Sequence, residues 1–280
     1  VTSHAPDPGA PPACRLGTRD LEVGYDDRTV VRGLTLDIPD GGFTVIVGPN
    51  ACGKSTLLKA LARGLRPRGG SVLLDGTRIE THRSKEVARR LGLLPQTAQT
   101  PGGISVGDLV ARGRYPHQRM LRQWTRGDEE AVLAALRATG TEALADRLVE
   151  ELSGGQRQRV WIALALAQET PILLLDEPTT YLDVAHQLDV LDLCDDLRSS
   201  RGQTLVAVLH DLNHACRYAT HLVAMRDGAL VAQGPPGEVV TADLVEQVFG
   251  MRCRIIPDPE TGTPLVVPAD RRRRTAARQT

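Results

Sequence analysis

The chain has 280 residues, 24% charged and 41% hydrophobic, with 34 Lys+Arg against 34 Asp+Glu and only 3% aromatic residues. That composition is globular, enough for one large or two modest domains, and the zero net charge excludes a chain adapted as a whole to nucleic acid or an anionic membrane surface. No apolar run approaches the ~20 residues of a membrane span, and five scattered cysteines without a C-x-x-C pair fit a reducing compartment, not a disulfide framework or a zinc site.

The opening "VTSHAPDPGAPPA" lacks the basic head and apolar stretch of a signal peptide. Its Pro, Gly and Ala content reads as a disordered lead-in over residues 1–14. Strands follow at 20–25 and 30–38, joined by a turn at Asp26–Asp27. The short run "FTVIVG" (43–48) suits a central parallel strand buried on both faces. Residues 71–76 read as another strand, and 84–92 and 128–138 as helices flanking a Gly/Pro-punctuated middle. A helix starts at Ser153 and runs to about Gln168. Apolar runs at 171–176 and 204–210 are buried strands with a helix across 184–199 between them. Residues 221–234 form a hairpin on Asp227–Gly228. The tail "RRRRTAARQT" reads as disordered. Alternation of strands and helices gives an α/β fold with a mostly parallel sheet. The stretch 95–160, which has helices and no strand, is a helical subdomain inserted into that sheet.

"GPNACGKST" (48–56) follows a strand and opens a helix, the context that G-x-x-x-x-G-K-[ST] requires. Gly48 and Gly53 let the backbone wrap phosphate oxygens, and successive N–H groups with the helix N-terminus supply positive potential. Pro49, Asn50, Ala51, Cys52 and Thr56 complete the loop. Lys54 is placed to reach the β/γ-phosphates of ATP and Ser55 to hold Mg²⁺. Cys52 has two readings, a tolerated spacer or a thiol activated by the helix N-terminus.

"ILLLDEP" (172–178) is an apolar strand ending in two acids, where open α/β sheets bind ligands. Asp176 is assigned to Mg²⁺, directly or through water, and Glu177 is assigned as general base for the attacking water. His210 and Gln96 stand after apolar runs. Spacing alone leaves the first as a lone strand-end histidine and the second as one polar residue. "LSGGQRQR" (152–159) resembles a second anion cradle opening a helix, with Ser153 as cap and Gly154–Gly155 allowing close approach.

"GPNACGKST", "LLPQ", "LSGGQRQR", "ILLLDEP", "YLD" and "VLHD" occur in the order seen in ATP-binding-cassette ATPases, and the chain resembles that family over roughly 15–270. The resemblance implies a P-loop core with an N-terminal antiparallel β subdomain and the helical insertion. It places one cassette at 15–237, a C-terminal extension packed on the core at 238–269, and a basic tail at 270–280. It implies Tyr25 as the aromatic stacked on adenine, where an exposed strand tyrosine is the plain alternative. It implies Gln96 as the glutamine linking Mg²⁺ and the lytic water to the coupling surface, His210 as a γ-phosphate contact, and Asp183 as the residue communicating across a dimer. Leu152, Ser153, Gly154, Gly155 and Gln156 would then close over ATP held by a second chain, in a homodimer or with a paired cassette. A helix of about 14 residues runs about 21 Å, further than the short strand after it returns, which is compatible with that division.

Three further stretches, "ARGRYPHQ" (111–118), "EPTTYLD" (177–183) and the ending 249–268, resemble the subgroup serving iron–siderophore importers. That implies an integral membrane permease, an extracytoplasmic substrate-binding protein reached indirectly, a place on the cytoplasmic face of the membrane, and a permease-facing surface on the helical subdomain, including Arg112–His117. The last is equally a solvated basic loop. Cobalamin and haem importers share much of the pattern. A ribosome- or DNA-directed ATPase is the competing class, against which zero net charge and a single cassette count. A nucleotide-sensing dimer would need weak hydrolysis, against which Glu177 counts.

Overall fold

The computed structural model describes residues 14–96, 102–118, 124–180 and 182–270. The expected lead-in 1–13, the tail with its arginine run 271–274, and Tyr181 of "YLD" lie outside the described residues.

Strands β1 (Cys14–Tyr25) and β2 (Arg28–Pro39) pair antiparallel around Asp26–Asp27. Leu21 and Val23 of β1 and Leu34, Leu36 and Ile38 of β2 are buried on one face, the alternation expected of a half-buried hairpin. β1 begins at Cys14, six residues before the predicted start and inside the stretch assigned to the lead-in. Its first half is fixed by long-range pairing of Leu16 with both Ile38 and Leu74, a constraint that local alternation does not carry.

Then come β3 (Phe43–Val47), α1 (Lys54–Leu61), β4 (Gly69–Leu74), β5 (Thr77–Arg78), α2 (Ser84–Arg90) and β6 (Leu91–Leu94). The predicted helix 84–92 ends at Arg90. Leu91–Leu94 becomes an edge strand instead, pairing parallel with Ile172–Leu175. Tertiary pairing overrides the helical period over those four residues. The helical unit holds α3 (Val106–Ala111), α4 (Arg126–Ala138) and α5 (Gly154–Ala167). Ser105, Thr125 and Ser153 cap these three helices through their hydroxyls.

β7 (Ile172–Asp176), α6 (Val184–Arg201), β8 (Thr204–Val208), α7 (Leu212–Tyr218), β9 (His221–Arg226) and β10 (Ala229–Gly234) follow. The β9–β10 hairpin turns at Asp227 (φ 50°) and Gly228 (φ 81°). The chain continues through α8 (Pro236–Val239), α9 (Ala242–Phe249) and a hairpin of β11 (Cys253–Pro257) and β12 (Pro264–Pro268). α7, α8, α9 and this hairpin are not among the predicted elements. The hairpin is held from outside: Asn213 of α7 accepts from the Val266 N–H at 2.7 Å.

The main sheet runs β10-β9-β3-β8-β7-β6, with β6, β7, β8, β3 and β9 parallel and β10 antiparallel at the edge. A second sheet, β2-β1-β4-β5, is wholly antiparallel. It is split in sequence, because β3 and α1 intervene between β2 and β4. Alternate residues of the central strands face two cores. Val45, Val47, Leu173 and Leu175 join the helical unit and α6 on one face. Ile46, Ile172, Leu174 and Val206 join α1 and the antiparallel sheet on the other. This explains strands with no polar side, each buried Leu or Ile contributing about 1.5–3 kcal/mol. The helical unit is no separate core: Leu109, Val132, Leu136 and Val160 pack continuously with the sheet, and α5 continues to Ala167, past the predicted edge at 160.

Candidate active site

β3 ends at Val47 and the chain turns away at Gly48, whose φ is 155°. A Cβ there would stand 2.2 Å from the Met225 carbonyl oxygen, so only glycine lets the loop pass this close to β9. The loop is also tied to the β9–β10 turn by the Gly228 N–H donating to Cys52 O at 3.0 Å. Gly53, left-handed at φ 105°, caps α1 without a side-chain bond. The first N–H groups of α1 have no helical acceptor, and Lys54, Ser55 and Thr56 of that turn border a cavity of about 1090 Å³.

That cavity brings together Tyr25, Asn50, Ala51, Gly53, Lys54, Ser55, Thr56, Gln96, Glu177 and His210, from five separate segments. Gly48, Pro49 and Cys52 lie behind its wall. Tyr25 is 44% exposed at its rim, unburied by anything in the chain itself. Lys54 is buried, and its ammonium donates to Gly48 O and Pro49 O, each at 2.9 Å. The Cys52 thiol is buried, and burial pushes it above its ordinary value although Lys54 opposes the shift. Burial and the raised thiol count against the activated-thiol reading and favour a packed spacer.

Ser55 Oγ donates to Asp176 Oδ1 at 2.8 Å. Asp176 ends β7 and is buried. Burial raises its carboxyl, opposed by the Ser55 bond and by Lys59 and Lys54. A hydroxyl and a buried carboxylate side by side are hard oxygen donors of the kind Mg²⁺ takes sparingly, keeping phosphate oxygens and water for its other positions. No cluster of three or more His, Cys, Asp or Glu able to hold a metal occurs among the described residues. The donor set therefore fits Mg²⁺ carried with a phosphate ligand.

Glu177 adopts a left-handed backbone (φ 53°), unusual for a non-glycine residue, which turns the chain sharply off β7. Its carboxylate accepts from two donors, Gln96 Nε2 at 2.7 Å and Thr180 Oγ1 at 3.1 Å, both on Oε2, and His210 Nε2 lies 2.7 Å from Oε1 as a charge contact. β8 ends at Val208, two residues short of His210, which therefore projects from the loop beyond the strand.

Leu152, Ser153, Gly154, Gly155 and Gln156 are not among the residues lining this cavity. Leu152 is buried. Ser153 and Gln156 form a capping box, the Gln156 N–H donating to Ser153 Oγ at 3.3 Å and the Ser153 N–H to Gln156 Oε1 at 3.1 Å. Gly155 lies under the His186 ring, and Asp183 caps α6 while its Oδ1 meets His186 Nδ1 at 2.7 Å. Within Arg112–His117, Arg112 and Tyr115 are exposed while Gly113 and Arg114 are buried. Arg114 is buried, bonded to Asp128 at 2.9 Å and Glu169 at 2.7 Å, and His117 meets Gln168 O. Tyr115, 60% exposed, remains on the surface, beside a groove shared with Arg112 and Trp124. Sequence reasoning missed Asp26, Asp27, Arg28, Val30 and Thr180, all on the cavity wall. The first four follow from Tyr25, because the turn after it must border whatever Tyr25 borders. Thr180 carries no signal of its own.

A model of the ABC transporter family matches residues 31–180. The ferric enterobactin transport ATP-binding protein FepC of Escherichia coli (strain K12) is 60% identical over 257 residues, spanning 92% of this chain and 95% of that protein. A solved ABC transporter in an inward-facing conformation superimposes with a TM-score of 0.80 at 28% identity, covering 93% of this chain and 99% of the other. The dimeric structure of MJ0796, a bacterial ABC transporter cassette, gives 0.69 at 27% identity, covering 79% and 98%. The chain belongs to the ABC transporter family. It is one of that family's ATP-binding, ATP-hydrolysing subunits, with the mixed α/β cassette fold of its solved relatives.

Proposed function

We propose that this chain powers uptake of a ferric siderophore through a separate membrane permease, by ATP-dependent closure of two copies. The observation that carries the dimer is the cavity wall. It holds residues 50–56 of the phosphate loop with Gln96, Glu177 and His210 of one chain, Asp176 standing behind Ser55, yet nothing from the Ser153 helix cap. Ser153–Gln156 presents an outward capped helix start that fits the terminal phosphate of ATP on a second copy. The FepC resemblance and the solved cassette dimer support the same reading.

In this reading Tyr25 stacks on the adenine, and the N–H groups of 50–56 with Lys54 hold the phosphates. Lys54 exchanges its two carbonyl acceptors for phosphate oxygens. Ser55 and Asp176, with Gln96 nearby, hold Mg²⁺, which supplies neutralisation of phosphate charge. Glu177 takes the proton of the attacking water, and His210 turns from Glu177 to the γ-phosphate. Asp183 and His186 lie beside the Ser153 cap and relate one site to the other. ATP contacts both chains, so its binding favours the closed pair, and loss of the γ-phosphate removes that preference. The exposed Tyr115–Trp124 groove is the permease-facing surface. No helix among the described residues is long and apolar enough to cross a membrane. The chain then works at the cytoplasmic face through that permease, and the binding protein outside selects the cargo.

Purification in mild detergent tests the reading. The expected result is recovery with a polytopic permease and ATPase stimulated by binding protein loaded with a ferric siderophore. ATPase stimulated by RNA or DNA, with no membrane partner, overturns it, and stimulation by cobalamin- or haem-loaded binding protein alone moves the cargo.

A further inference from the structure

We infer that Thr180 is a positioning residue for hydrolysis, holding Glu177 in place after its other two polar contacts, Gln96 and His210, have left. The inference rests on Glu177 being the general base. In the structure Gln96 and Thr180 share Oε2 of Glu177, and His210 holds Oε1. Gln96 and His210 come from segments remote in sequence, and both border the nucleotide cavity. In the function proposed above each is needed elsewhere once ATP arrives, Gln96 toward the metal and His210 toward the γ-phosphate. Thr180 has no such second duty. It belongs to the turn that Glu177 opens, its N–H donates to Glu177 O at 3.2 Å, and its hydroxyl reaches the carboxylate from within that turn.

The consequence is an order of events. With nucleotide bound, Oε2 stays anchored by Thr180 while Oε1, vacated by His210, is free to accept the water proton. A glutamate with a left-handed backbone and no remaining side-chain donor would swing through several rotamers. One retained hydroxyl fixes which oxygen faces the cavity, the kind of second contact on which positioned bases depend.

The test is steady-state ATPase of Thr180→Val, which keeps the shape and removes the donor, beside Thr180→Ser, which keeps the donor. ATP affinity is measured separately by binding titration. Misplaced groups cost up to about 100-fold, so kcat of Thr180→Val should fall about 10–100-fold. Its KM and ATP affinity should stay within about twofold, the pattern of an interaction used in the transition state, and Thr180→Ser should retain kcat within about threefold. In a Glu177→Gln background Thr180→Val should add nothing, because a residue acting through Glu177 has nothing left to position. An unchanged kcat in Thr180→Val, an equal rise in KM, or the same further loss in the Glu177→Gln background overturns the inference. If Thr180→Val loses its native circular dichroism, Thr180→Ala is read by the same criteria. Near-normal turnover of Glu177→Gln alone is a separate result: it removes the base assignment, and the inference falls with it.

Discussion

Around the cavity, polar side chains reach across the sequence. Ser55 bonds Asp176, Gln96 bonds Glu177 with His210 close beside it, and Lys54 closes on its own loop. At the Ser153 turn the bonds are local: Ser153 and Gln156 satisfy each other's backbone three residues apart, and the glycines between them carry no side chain. The first region is knit together before ligand arrives, with Lys54, Asp176 and Glu177 already partnered. The second is rigid but offers its helix start outward. A site built this way has one half organised within a chain and the other half waiting for a surface, so damage to the two halves should separate in experiment.

The largest expected effect comes from the organised half. Glu177→Gln should bind ATP but lose about 10²–10⁴-fold in kcat, or roughly 3–5 kcal/mol of barrier, the usual cost of removing a general base. Turnover with a nucleotide-binding control checks it, and near-normal turnover breaks the comparison at its stronger side. Ser153→Arg addresses the other half. It should leave ATP affinity of the isolated chain within about twofold while abolishing the ATP-dependent dimer of the Glu177→Gln background, because the cap is complementary only to the closed state. Light scattering with and without ATP reads this. A dimer that survives the arginine means that the turn does not face a partner's nucleotide.

A smaller effect sharpens the contrast through the helical unit that carries the Ser153 turn. Hydrogen bonds from Thr125 and then Arg114 hold the Asp128 carboxyl down at about 2 although burial opposes them. A lowered carboxylate contributes stability that is whole above the ordinary aspartate value near 4 and is lost as pH falls through about 2, a contribution of roughly 2 kcal/mol. Asp128→Asn should therefore flatten acid unfolding between pH 4 and 2, measured by circular dichroism. An unchanged acid limb removes this anchor. The smallest effect belongs to Cys52. Thiol reagents applied to the native chain should reduce ATPase equally in wild type and Cys52→Ala, since the thiol is buried and raised. Protection by the alanine would restore the reactive reading.

The site was legible in part because its chemistry is local. Residues 48–56 are contiguous, and the strand–loop–helix context around them is written in apolar periodicity. The acids of 176–177 follow an unbroken run, "ILLL", that no amphipathic helix would carry. Thr180 and the Asp26–Arg28 turn were not legible, since their relevance consists in what lies opposite them. The burial of Arg114 between Asp128 and Glu169 was not legible either, because a basic stretch carries no sign of the two acids that the fold brings to it. β6 misled for a related reason. Leu91 and Gly92 after a helix read as its last turn until a partner strand is available to pair Leu91–Leu94.

By itself the sequence determined what depends on neighbours along the chain. It set the phosphate loop, the buried strands β3, β7 and β8, the helix caps, and the hairpin at Asp227–Gly228, whose left-handed turn residues dictate its form. Tertiary structure alone decided the extension of β1 back to Cys14, the edge strand β6, the docking of β12 on Asn213, and the meeting of Gln96, Thr180 and His210 on one carboxylate. Local rules follow from backbone sterics and capping, which act over a few residues. The second group forms only when packing the two faces of one sheet has brought distant segments within hydrogen-bond reach.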